Sequence, residues 1–415
     1  MNHHSTSFAR VALQWGATAA VLLMLGGAGC QSTGPTVISN ELPFDQAVIE
    51  ATDGLVAQTQ KLPSFLAKVG ATVEAKVAKR PLMIDPMIDA ASGQQTRVTR
   101  QLEQKVSERL ASQYPQFEVL PFQSANLSRA QYLLTGTMVR SAGSAGTAGG
   151  GARKPYQINL ALVELSTRNV LAQASALARD DGLDASPTPY YQDSPVLVKD
   201  QVVDGYIRTA QTAPGQPADA YYLDRLSAST LINDGTNAYN ASQYQDALGA
   251  YRNALATPAG EQLRALNGVY LASLKLGRTA DAEQAFGRVV AFGLSQRNLG
   301  VKFLFNPGST EFWSDPKVSG PYALWLRQIA RQAAAAKVCM NIVGHTSRTG
   351  SEQTNDRLSQ ARATVIKQKL DADAADLTAR TKASGMGWRE NIIGTGTDDV
   401  TDALDRRVEF KIVNC

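Results

Sequence analysis

Residues Ile342 to Ala363 read I-V-G-H-T-S-R-T-G-S-E-Q-T-N-D-R-L-S-Q-A-R-A, a strand that stops at G-H-T followed by a helix that opens at N-x-x-L-S-x-x-R-A. The strand, Val338 to Thr346, needs a neighbour, and the last strand of the chain, Arg407 to Val413, is expected beside it, antiparallel. In such a pair the start of one strand faces the end of the other. Cys339 begins the first and Cys415 ends the second, so their thiols fall within disulfide reach. The other reading is two unrelated buried thiols, which an oxidising compartment disfavours.

With the later landmarks G-M-G at Gly385 to Gly387 and D-R-R-V-E-F at Asp405 to Phe410, the stretch Val301 to Cys415 resembles the OmpA-like peptidoglycan-binding domain. The resemblance implies a periplasmic mixed sheet backed by helices, expected here at Pro321–Lys337 and Asn355–Leu370. It also implies a grip on the diaminopimelate of the cell-wall stem peptide. Arg362 stands where the family binds the ligand's carboxylate, and Thr346, Ser347, Asn355, Asp405 and Arg406 complete the implied site. Asn355 is expected as the N-cap of its helix, whose dipole would favour an anion.

Two positions depart from the family. Ser347 stands where an Asp usually pairs with the ligand's ammonium, and Asp405 where an Asn usually precedes R-R. A zwitterionic ligand wants one anion and one cation, with Arg supplying a bidentate fork. Losing a charge-assisted hydrogen bond costs on the order of 1.5–3 kcal/mol. The expected strand pairing brings 347 and 405 onto neighbouring rungs. Asp405 then either supplies the missing anion or pairs with Arg406 or Arg407 on a solvated edge.

The N-terminus carries Arg10, an apolar run from Val11 to Leu25, then Gly26-Gly27-Ala28-Gly29-Cys30. This resembles a bacterial lipoprotein signal peptide, 1–29, although Gly27 stands where Leu is favoured. It implies that Cys30 is lipidated and that Gln31 directs the protein to the outer membrane, facing the periplasm. Acyl chains contribute about 0.8 kcal/mol per buried methylene. An uncleaved anchor helix is the alternative. Residues 30–41 then read as a short linker.

Between these ends, 42–180 mixes helix and strand signals. Ala47, Val48, Ala51 and Leu55 form one helical face within Phe44 to Gln58, and Val98, Leu102, Val106 and Leu110 another. Strands are expected at Pro81–Asp85, Phe117–Phe122, Tyr132–Val139, along the alternation Tyr156, Ile158, Leu160, Leu162, and at Asn169–Ala172. The order, and Y-L-L-T-G-T-M-V in particular, resembles the α/β domain of CsgG-, FlgO- and LpoB-type envelope lipoproteins, which implies a sandwich-like assembly or activator module. Ser141 to Lys154 lacks the G-x-x-x-x-G-K-[ST] spacing of a phosphate loop and reads as a hairpin tip. The prolines of 181–220 read as linker or surface wrapping.

Within 221–295, Gly235, Tyr239, Ala247, Tyr251 and Ala254, then Gly277, Ala282 and Phe286, resemble two tetratricopeptide repeats with a period of about 34 residues. The resemblance implies a protein-binding groove; a helical spacer is the other reading. The final domain is taken as 296–415. The architecture is thus α/β and α+β multidomain, with a short α-helical segment at its centre.

Apolar content of 44% and charged content of 19% describe globular material, and a formal charge of +4 does not point to nucleic acid. Beyond the leader, His345 is the only histidine, so catalytic triads and the usual zinc spacings lack their residues and no metal, cofactor or enzyme activity is expected. The carboxylate pairs Asp180-Asp181 and Asp398-Asp399 are expected to face solvent. Two functions stay open. One is a lipid-anchored tether on peptidoglycan with protein partners on its other modules. The other is a subunit of an envelope machine whose OmpA-like domain no longer binds the wall. A hydrolase would need two placed carboxylates in a cleft.

Overall fold

Parallel strands bury both faces, so a sheet rich in them must be covered twice. The N-terminal sheet obeys this. The computed structural model describes residues 34–60, 79–140, 155–297, 299–306, 308–393, 396 and 401–415. They belong to one compact unit, Thr33–Cys415. The leader with Cys30, the Ser141–Lys154 segment and the Asp398-Asp399 pair lie outside the described residues.

The chain begins with β1 (Thr36–Leu42), α1 (Phe44–Thr59), β2 (Arg80–Ile84), β3 (Ile88–Asp89) and α2 (Arg97–Gln113). Then come β4 (Phe117–Leu120), β5 (Tyr132–Arg140), β6 (Tyr156–Glu164) and β7 (Asn169–Ala178). The strand order is β1-β7-β6-β5-β2-β4, with β3 beside β5. β5, β6 and β7 run antiparallel as a meander, and the remaining pairings are parallel. Both expected helical stripes are buried, and Thr96 caps α2 through a reciprocal box with Thr99. Tyr156, Ile158, Leu160 and Leu162 pack with α1 and α2 in one core. The intervening Ala161 and Val163 enter a second core on the opposite face. Of the expected carboxylate pairs, Asp180 departs from its reading: it is buried and bonded to Arg140 at 2.6 Å.

That second face is closed by the segment read as a linker. It carries α3 (Pro189–Asp193), α4 (Gln201–Ala210) and α5 (Ala220–Leu223), with Tyr190, Tyr191, Tyr206 and Tyr222 buried. The prolines do not loosen it, because a residue without N–H keeps its carbonyl. Pro189 opens α3, and Pro195 O accepts from Lys302 N–H at 2.8 Å. Asp200 caps α4 with one oxygen and accepts from Leu263 N–H at 2.9 Å with the other. The segment is a strap packed across the modules.

Four helices follow: α6 (Leu226–Asn240), α7 (Tyr244–Leu255), α8 (Leu263–Lys275) and α9 (Thr279–Ser295). Tyr251 fills the space left by two glycines; a Cβ at Gly235 or Gly268 would come within 2.8 or 2.5 Å of its ring. Phe286 stacks at 5.8 Å on Trp325 of the next module, whose indole N–H donates to Tyr270 Oη at 2.7 Å. These helices and the C-terminal domain therefore share one core.

The C-terminal domain contains β8 (Gly300–Val301), α10 (Pro316–Ser319), α11 (Tyr322–Ala335), β9 (Cys339–Gly344), α12 (Glu352–Asp373), β10 (Thr381–Gly385) and β11 (Val408–Val413). Its sheet runs β10-β9-β11-β8. β9 and β11 pair antiparallel from Cys339↔Val413 to Gly344↔Val408, the expected register. A disulfide joins Cys339 to Cys415 with Cα atoms 5.2 Å apart. The strap extends the sheet beyond β8 through a bridge between Val196 and Val301. No helix among the described residues is long and apolar enough to cross a membrane.

Candidate ligand site at the end of strand β9

The glycine of G-H-T sets how closely β9 approaches α12, since a Cβ at Gly344 would collide with the Ser359 carbonyl. Gly385 on β10 meets the Gln360 backbone in the same way. Beyond the strand, His345, Thr346 and Ser347 remain buried. Thr346 N–H donates to Gly387 O at 2.9 Å, and Gly387 N–H to Ser359 Oγ at 3.0 Å. Gly387 has φ +54°, a conformation that favours glycine. The G-M-G landmark thus lies against both the strand end and the helix.

α12 starts earlier than expected. Ser351, not Asn355, is its N-cap, its Oγ accepting from Thr354 N–H at 3.2 Å. Asn355 lies one turn in, buried, and its Nδ2 donates to the Thr349 and Ser351 carbonyls at 2.7 and 3.1 Å. It closes the turn that leads into the helix.

Arg362, two turns beyond Asn355, is buried. Its Nε donates to Ser309 O at 3.1 Å and its Nη2 to Asn306 O at 3.2 Å, with the guanidinium 4.8 Å from the Phe305 ring centroid. These contacts orient the cation. Ser347 Oγ lies 3.3 Å from Thr349 Oγ1. Asp405 is fully buried, and its Oδ1 accepts from Ile392 and Ile393 N–H at 2.7 and 3.0 Å. It is therefore not on a solvated edge, as one of the two readings required; it pins the 392–393 turn. Arg406, next to it, is half-buried. Arg407 turns instead to Glu409 at 2.7 Å and to Glu390 O at 3.0 Å.

Two further polar groups lie beside this strand end. Among the described residues, Thr346 Oγ1 and Trp388 Nε1 are buried without a hydrogen-bond partner. They flank the Thr346–Gly387 backbone bond, and the Arg348 guanidinium lies 5.1 Å from the Trp388 ring centroid. A hydroxyl, an indole N–H and arginines supply donors, and donors suit an anionic group. Trp388, Arg348 and the Asn306 and Ser309 carbonyls are absent from the site read in the sequence. Their only signals are the arginine inside T-S-R, the tryptophan after G-M-G, and F-N-P-G-S.

The OmpA family matches residues 304–403. Among solved structures, the chain is similar to the peptidoglycan-associated lipoprotein from Burkholderia pseudomallei, at 23% identity over 28% of this chain and 89% of that one, TM-score 0.23. It is similar to the cell wall anchor of the T6SS from Pseudomonas aeruginosa, at 25% identity over 28% and 80%, TM-score 0.23. The periplasmic domain of Helicobacter pylori MotB shows 21% identity over 28% and 74%, TM-score 0.22. No curated protein matches the chain. The C-terminal region is thus an OmpA-like domain, and it accounts for little more than a quarter of the molecule.

Proposed function

We propose that this protein is an outer-membrane lipoprotein that tethers the envelope by binding peptidoglycan stem peptides non-covalently through its OmpA-like domain. One observation carries the reading: a buried, oriented guanidinium at Arg362 on α12, in a domain whose buried Thr346 hydroxyl lacks a partner. In this proposal Cys30 bears the lipid, the four-helix segment and the N-terminal sheet bind protein partners, and no catalysis occurs. Modest affinity for each stem peptide suffices, because anchor and polymeric wall raise the effective concentration.

A second reading draws support from Ser347 and from the turn that holds Arg362. An uncharged hydroxyl replaces the usual carboxylate, and the protein's own carbonyls already accept from the guanidinium. On that reading the domain is a docking surface within an envelope machine. Incubation of the full chain with purified sacculi separates the two. The tether sediments with the wall and releases no muropeptides; the docking subunit stays in the supernatant and co-purifies with a protein partner.

A further inference from the structure

His345 presents an anomaly on the other face of the same sheet. Its side chain is fully buried, yet neither ring nitrogen has a hydrogen-bond partner among the described residues. A buried polar group left unsatisfied is costly, and such groups often mark the place of an ordered water or ion.

The surroundings favour an ion. Residues opposite one another in an antiparallel ladder share a face, and neighbours alternate. Gly344 backs onto α12, so Glu409 and Lys411, which oppose Val343 and Asn341, stand on the face away from that helix. His345 continues the ladder by donating its N–H to Arg407 O. Its Nε2 lies 3.6 Å from Glu409 Oε2, too far for a hydrogen bond. Two ligands on a tetrahedral zinc, with bonds of about 2.1 Å, stand roughly 3.4 Å apart. Glu390 supplies a third donor, and the three ligand atoms lie within 4.8 Å of one another.

The charges around the cluster are arranged to suit this. Arg407 holds Glu409 Oε1 at 2.7 Å and leaves Oε2 facing the imidazole. An outer partner of that kind fixes a ligating carboxylate. Lys411 Nζ lies 2.8 Å from Glu390 Oε2 and 3.5 Å from Glu409 Oε2, so an ammonium bridges the two carboxylates. That side chain is 43% exposed and can swing into solvent.

We propose that His345, Glu409 and Glu390 form a site for a divalent cation of the zinc class, with Lys411 as the displaceable counter-cation of the metal-free protein. One imidazole and two carboxylates suit zinc, whereas calcium and magnesium require six or more oxygens including water. No regular spacing announces the site, because its ligands come from three separated segments that meet only in the folded sheet. A bound ion would fasten β9, β11 and the segment at Glu390 one residue from Thr346.

The test is zinc titration of the metal-stripped full chain against a chromophoric chelator. The wild type is expected to take one equivalent that Glu390→Gln and His345→Asn weaken at least tenfold, while Lys411→Met tightens it several-fold. Millimolar magnesium or calcium should not compete. Glu390 is exposed, so its substitution leaves a folded protein even if that of buried His345 does not. Equal zinc affinity in wild type and Glu390→Gln overturns the proposal, since the metal then belongs elsewhere. Unchanged affinity in Lys411→Met, or no stoichiometric zinc at all, overturns it as well.

Discussion

Ser347 and Asp405 look like an exchange of charge when read along the chain, and in the folded molecule Asp405 also has a structural task. Asp405 is committed to two backbone amides, Ile392 and Ile393. Asp405→Ala should therefore destabilise the domain by about 2–3 kcal/mol, because it strands those N–H groups, while Asp405→Asn keeps an acceptor and loses less. Urea unfolding of the two variants measures the difference. Ser347 is buried at the strand end, and on the tethering proposal a carboxylate there would change recognition. Ser347→Asp should raise affinity for a stem peptide with a free diaminopimelate amine by about tenfold or more, in line with a charge-assisted hydrogen bond. Calorimetry with that peptide, and with its amine acetylated, reads the effect; the acetylated form should gain nothing.

Among the elements, those with local causes were legible. Val98, Leu102, Val106 and Leu110 recur at helical spacing and all are buried, so α2 could be placed from its own residues. The β9–β11 register was legible because Cys339 begins one strand and Cys415 follows the end of the other, at the same end of the pair. β1 was not, since T-V-I-S-N-E-L is half polar and its partner β7 lies far along the chain. The strap was hidden behind its prolines, of which Pro195 serves as an acceptor through its carbonyl. The cap of α12 was misplaced because S-x-x-T lacks the Glu or Gln of a familiar capping box. Ser351→Ala should cost about 1 kcal/mol and fray the first turn, measured by denaturation and by amide exchange at Thr354. Arg362 was singled out by resemblance, yet its clasp by Asn306 and Ser309 belongs to tertiary structure and leaves no local pattern.

For the molecule as a whole, the modules are joined by buried polar contacts as well as by a shared core. Tyr222 donates its hydroxyl to Asp85, linking α5 to the N-terminal sheet. Burial raises the Asp85 pKa to about 7, against the lowering effect of that hydrogen bond. The folded protein thus binds this proton more tightly than the unfolded chain does. Its stabilising contribution is complete below the ordinary carboxylate pKa and is lost as pH rises towards 7 and beyond. Asp85→Asn, which cannot ionise, should melt progressively higher relative to wild type as pH rises from 4 to 8. Melting curves of both proteins across that range check it; a constant gap contradicts it. On the tethering proposal, force applied to the C-terminal domain would reach the helices through Trp325 and Tyr270.

The most direct test of tethering is calorimetric binding of a diaminopimelate-containing stem peptide to the full chain and to Arg362→Ala and Arg362→Lys. The tether account predicts measurable binding by the wild type, loss in the alanine variant, and little rescue by lysine, which cannot form the planar fork. Equal binding by all three proteins, or none by the wild type, would contradict it.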